Sequence, residues 1–240
     1  MAKERVTVCV PPGDPGDVVR AITAAMAPYD YNRDAGVGDP DGETWWDYWQ
    51  VDGGGCEFLV VPGHEDDPRL LRGAKTLSGE PRNVPPALCD GGPRALLDLE
   101  TPRARAAARA RRAFGAWQEF AAAYPPGRAF GDFRARHLAD PGSYSPMQAV
   151  EDYRAQPVIA AFLDNPELEE IVGGDPIARL SGDLDALVRH AMDSALPSHA
   201  LLTLDGRWLD IANAERRHYF NDYLDALPAD AYAVRVLYHG

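Results

Sequence analysis

Apolar residues recur at two different periods along this chain, and the changes of period mark its elements. At the amino end, Val6, Val8, Cys9 and Val10 belong to a β-branched run from Arg5 to Val10 that predicts a strand, stopped by Pro11-Pro12-Gly13. From Asp14 the spacing becomes helical: Val18, Val19, Ile22, Ala25 and Met26 share a face. Asp14 is the expected N-cap, Pro15 suits the first turn, and Pro28 closes the helix. Thr44 to Val51 reads as a strand with Trp45, Asp47, Trp49 and Val51 on one face and Trp46, Tyr48 and Gln50 on the other. Asp52-Gly53-Gly54-Gly55 then turns the chain into Cys56–Val61, so a hairpin is expected, and the Pro- and Gly-rich residues 62–95 predict loop.

Composition changes sharply at Thr101, where alanine and arginine alternate through a predicted helix that ends at Tyr124-Pro125-Pro126-Gly127. Arg105, Arg109 and Arg112 share one of its faces, and Arg103 and Arg111 lie away from it. With acids abundant elsewhere, internal salt links are the expected role of these guanidinium groups. Ser145, Asn165 and Asp175, each followed by proline, start three more helices. Ser181 is read as the cap of an amphipathic helix with Leu184, Leu187, Val188, Ala191, Met192 and Ala195 on one face. Asp205-Gly206 between Ala200–Leu204 and Arg207–Leu209 predicts a hairpin. A helix carrying Phe220, Tyr223, Leu224 and Leu227 follows, and Ala231–His239 predicts a last strand that places Arg235 and His239 on the same face. The pattern predicts an α+β fold: a single mixed or antiparallel sheet from the N- and C-terminal strands, in one domain over 1–240, with 101–196 a mainly helical insertion.

Charge narrows the partners. The 240 residues carry 24 Lys and Arg against 37 Asp and Glu, a net charge of −13. A surface that acidic repels phosphate backbones, so nucleic acid is not an expected partner. No apolar run approaches the roughly 18 residues of a membrane span, and no membrane association is expected. Cys9, Cys56 and Cys89 form no C-x-x-C pair, each beside apolar residues, which fits free thiols and an expected cytoplasmic location.

Asp47 is the leading chemical candidate, because a carboxyl flanked by Trp45 and Trp49 and desolvated by them would serve as a general acid or base. His64-Glu65-Asp66-Asp67 after a strand is similar to the His-Pro-Asp-Asp metal motif of LmbE-like deacetylases. Here Pro62 precedes the histidine and no H-x-x-H follows, so no metal ligand set is expected. Neither glycine cluster has the spacing of a phosphate-binding loop, and no G-x-S-x-G is present.

Trp46-Asp47-Tyr48-Trp49 followed by Gly53-Gly54 resembles the W-D-W/Y-x-x-G-G-R-W strand of uncharacterised proteins found in phages and actinobacterial genomes. Asp205-Gly206-Arg207-Trp208 resembles their D-G-x-W hairpin, and Leu237-Tyr238-His239 their closing strand ending D-x-H. Leu97-Asp98-Leu99-Glu100 sits where that family has an acidic lead-in to a helix. The arginine and tryptophan of G-G-R-W are replaced, since Gly55 and Cys56 follow, and Tyr238 stands near the place of the terminal acid. The resemblance implies a shared cleft joining Asp47, Trp208 and His239. The leading functional expectation is a binding or accessory protein, phage- or prophage-associated, that engages a protein or a small ligand. The alternative is an enzyme, a hydrolase or transferase, with Asp47 as acid or base and His239 as its partner. In that alternative Arg235 clamps an anion, and Trp45, Trp49 and Trp208 line the ligand. The residues point to no particular cofactor or oligomeric state.

Overall fold

A computed structural model describes residues 3–31, 46–76 and 78–239. The fold is α+β, and the chain divides into two compact units: Met1–Pro102 with Asp193–Gly240, and Arg103–Met192. The first unit is built on a mixed sheet of β1 (Lys3–Val10), β2 (Tyr48–Val51), β7 (Ala200–Leu202), β8 (Trp208–Asp210) and β9 (Tyr232–His239), in the order β2-β9-β1-β7-β8. The short β5 (Gly91–Pro93) pairs with β9 beside β2, while β3 (Phe58–Val60), β4 (Leu88–Cys89) and β6 (Leu97–Asp98) form a small second sheet. β1 runs antiparallel to β9 along all eight residues and parallel to β7.

Side chains alternate across β1 and β9, so each strand serves two apolar clusters. Val6, Val8, Val10, Val234 and Val236 face α1 (Pro15–Met26), whose Val18, Ile22 and Met26 are buried against them. On the other side, Cys9 and Ala233 pack with Phe58, Val60 and Leu97 of the small sheet and with Phe220 and Leu224 of α9 (Ala214–Ala226). Covered on both sides, β9 is buried along nearly its whole length, which explains its near-continuous apolar sequence. The Asp205-Gly206 hairpin forms as expected, with Gly206 at a φ of +80° that a side chain would oppose.

The predicted hairpin of residues 44–61 does not form. β2 pairs with β9, 185 residues or more away, whereas β3 leaves for the small sheet. The face assignment fails at the same place, because Asp47 is a bend, not a strand residue. Its N–H donates to the carbonyl of His239, while Trp46 exchanges backbone bonds with Tyr29 and Tyr31. Trp46, Trp49 and Val51 therefore all pack on the α1 side of the sheet, and the Trp46 indole N–H donates to the Met26 carbonyl.

The second unit is helical. Most of α2 (Glu100–Ala121) belongs to it, followed by α3 (Phe130–Ala139), α4 (Pro146–Arg154), α5 (Pro157–Leu163), α6 (Pro166–Val172), α7 (Pro176–Leu180) and most of α8 (Leu184–Asp193). Trp117 of α2 meets Phe162 edge-on at 5.8 Å within a core that includes Ile159, Leu168 and Leu180. Ser145, Asn165 and Asp175 cap their helices as the sequence predicts. Ser181 does not cap α8; it ends α7, and Asp183 supplies the cap through the Ala186 N–H. The expected internal salt links of the arginine helix are also absent at four positions. Arg105, Arg109, Arg111 and Arg112 are exposed and make no side-chain hydrogen bond or ion pair among the described residues.

Candidate ligand cleft and its charged surroundings

A cleft of about 600 Å³ opens in the first unit, where the start of β1, the segment 193–200, the β8 end and the first turns of α9 come together. That volume is within the range of small-molecule sites. Its apolar lining includes Leu196, Trp208, Ile211 and Phe220, and its polar lining includes Ser198, His199 and Arg217. Trp208 lies 5.1 Å from Tyr29 and edge-on to Tyr238 at 5.5 Å, so its ring is held on two sides. The Tyr238 hydroxyl donates to Glu4 at 2.6 Å, and burial followed by that bond raises its pKa, which keeps it protonated.

Two donors in this lining are available to a ligand. The Arg5 N–H donates to His199 Nδ1 at 3.0 Å, which leaves Nε2 as the nitrogen through which the ring donates. Arg217 is half-buried, and its guanidinium has no hydrogen-bond or carboxylate partner among the described residues. Cys56 also reaches the cleft. Burial pushes the thiols of Cys9 and Cys89 up to about 12, which leaves both as neutral core residues.

Arg235 lies one layer behind this cleft. Its side chain, expected to clamp an anion directly, is buried on β9, with 1% of the residue exposed. The guanidinium stacks over Phe58 at 4.2 Å and stands 5.9 Å from the ring centre of Phe220, a cleft residue. One terminal nitrogen donates to Thr7 Oγ1, which is in turn 3.0 Å from the hydroxyl of Ser198, also in the cleft wall. Nε has no partner, and no carboxylate lies within ion-pair distance among the described residues. Desolvation lowers its pKa to about 10, with the Cys56 and Cys9 thiols acting in the opposite direction. It is charged at neutral pH and uncompensated.

Asp47 and His239 do meet: Oδ1 is 2.7 Å from Nδ1, at the end of the β2–β9 pairing. The side chains are 41% and 25% exposed, respectively, so the pair sits at the surface. Trp208 is not brought to it. Trp208 packs against Tyr238 on the α1 side, and His239, the next residue, points to the opposite side by strand alternation. The cleft that Trp208 borders includes neither Asp47 nor His239. Trp49 is half-buried in the α1-side cluster, and Trp45 lies outside the described residues. Among the described residues, no three His, Cys, Asp or Glu side chains converge as a metal ion would need, and no helix is long and apolar enough to cross a membrane.

Sequence reading missed the other charged centre of this unit. Arg82 contacts Asp52, Glu57 and Asp90 at 3.2, 2.7 and 2.8 Å, with its side chain 8% exposed. The Asp90 carboxylate also accepts the N–H groups of Gly53 and Gly73, and Asp52 accepts that of Gly54. Arg5 closes the same loop from outside by donating to the carbonyls of Gly53 and Gly54. No spacing rule joins residues 52, 57, 82 and 90, so no sequence signal marks them. His199 and Arg217 were equally silent. In comparisons with known proteins, no family model, curated protein or solved structure matches this chain.

Proposed function

We propose that this protein is a binding protein whose ligand is a small organic anion with a flat apolar body, held in the cleft beside Trp208. The observation that carries this reading is the uncompensated charge of Arg235 directly behind the cleft wall. A buried charge without a countercharge costs several kcal/mol, and stability alone gives no reason to keep one. An anion in the cleft offsets that charge through a low-dielectric wall. Arg217 and the His199 Nε2–H supply direct contacts, Trp208 and Phe220 the apolar surface, and the Thr7–Ser198 hydroxyls a polar link from Arg235 to the cleft.

The test is thermal unfolding against a panel of aromatic carboxylates, dicarboxylates and nucleoside monophosphates. A ligand at 100 times its Kd adds about 2.7 kcal/mol of stability, a readable rise in Tm. The rise is expected for at least one anion and is expected to shrink in Arg217→Gln and His199→Gln. No rise with any anion, or one indifferent to both substitutions, overturns the reading.

A second reading, an enzyme using Asp47 and His239, is favoured by their 2.7 Å contact, in which the carboxylate orients the imidazole and leaves Nε2 to act on a substrate. A hydrolase or transferase activity abolished by both Asp47→Asn and His239→Gln would support it.

A further inference from the structure

The arginines of α2 form a surface separate from the cleft. Helical geometry of 100° per residue places Arg105, Arg109 and Arg112 within an arc of about 60°, with rises of roughly 6 and 4.5 Å between them. The centre of that row lies about 90° around the helix from Ala106, Ala113 and Trp117, which are buried. Beside it, Ala104, Ala108 and Gly115 are exposed and small, forming a low shelf bounded on its far side by Arg111. All four arginines are exposed and unpaired among the described residues. From Thr101 to Gln118 the chain has no acidic residue, although acids outnumber bases by 13 overall. Residues 103–192 hold 11 arginines and 12 acids, so the remainder of the chain carries nearly all the excess negative charge.

We propose that this face of α2 docks an acidic helix of a partner protein. A helix with carboxylates at i, i+4 and i+7 repeats the rises of the arginine row, so three ion pairs form in register. The shelf of alanine and glycine lets the partner backbone approach closely enough for the guanidinium groups to reach over it. A nucleic acid fits less well, because the charge of the rest of the chain opposes phosphate binding. A lipid surface fits less well too, since among the described residues α2 has no exposed large apolar side chain to enter it.

The probe is an alanine-rich peptide with glutamates at i, i+4, i+7 and i+11, labelled for fluorescence anisotropy and titrated with the full-length protein at low ionic strength. Its control is an isomer of the same composition with the glutamates spread around the helix. Binding is expected for the first peptide, at least tenfold weaker for the isomer, and at least tenfold weaker for the variant carrying Arg105→Gln, Arg109→Gln and Arg112→Gln. Raising the salt to physiological strength is expected to weaken it further. All three substitutions are at exposed positions, and an unchanged circular dichroism spectrum and Tm verify the fold of the variant. Failure of the wild type to bind, equal binding of both peptides, or an unaffected triple variant overturns the proposal. Tighter binding of a short DNA duplex than of the peptide overturns it in favour of nucleic acid. Self-association in sedimentation that the triple variant loses overturns it in favour of a second copy of this chain.

Discussion

Two buried arginines of the first unit have opposite surroundings. Arg82 is enclosed by Asp52, Glu57 and Asp90, and although burial works against its charge, the Asp90 hydrogen bonds and the three carboxylates raise its pKa. Arg235 has a phenylalanine ring, one hydroxyl and, among the described residues, no carboxylate, and burial lowers its pKa. Desolvation is common to both, and the difference lies in what replaces water. The first arginine knits three loop segments together. The second joins no opposite charges and stands next to a cleft, and the contrast teaches that burial alone does not tell how a charged residue is compensated.

The largest expected effect separates the two sites most directly. Arg82→Met leaves three carboxylates facing one another with little water, and it is expected to cost about 3–5 kcal/mol in urea unfolding. A loss under about 1 kcal/mol would mean that the carboxylates find other partners, and the contrast would collapse.

Arg235→Met is expected to act in the opposite direction. A folded-state pKa of about 10, well below the ordinary arginine value, corresponds to a penalty of about 3 kcal/mol, so the variant gains up to that stability at neutral pH while losing affinity for an anion. The penalty is fully present below the folded pKa and fades as pH rises above about 10 towards the ordinary arginine value, where the unfolded chain also becomes neutral. The stability difference between variant and wild type should therefore narrow between pH 7 and pH 11. Destabilisation by Arg235→Met at neutral pH would instead make the residue a structural one like Arg82.

The smallest effect is expected at the partly exposed pair. Asp47→Asn should cost no more than about 1 kcal/mol, because water competes for a hydrogen bond between side chains this exposed. A larger loss would show that the contact clamps the β2–β9 register, giving it a structural role like that of Arg82.

Much of the fold could be read from local pattern. The alternation of Arg5–Val10, the helical spacing of Val18, Ile22 and Met26, and the Asp205-Gly206 turn each constrain neighbouring residues, and each element forms where expected. The strand at Tyr48 was recognisable as well, but its partner was not. A glycine turn and a second apolar run suggested the nearest strand, whereas β9 lies far along the chain and carries the longer edge. The candidate site was less legible still. Asp47 and His239 were singled out and do meet, but Arg235 was expected to contact a ligand directly and is buried behind the wall of a cleft.

Periodicity, turn chemistry and helix caps act over a few residues, so the sequence by itself determined which segments become strands and helices and which side chains share a face of each. Arg235 and His239 share a side of β9 for that reason. What covers that side was decided only by the tertiary structure: Phe58, Phe220 and Thr7 come from three distant segments and turn one of these residues into an isolated buried charge. Charge compensation depends on groups within a few ångströms in space, and Asp52, Glu57 and Asp90 reach Arg82 through chain folding that no local pattern specifies.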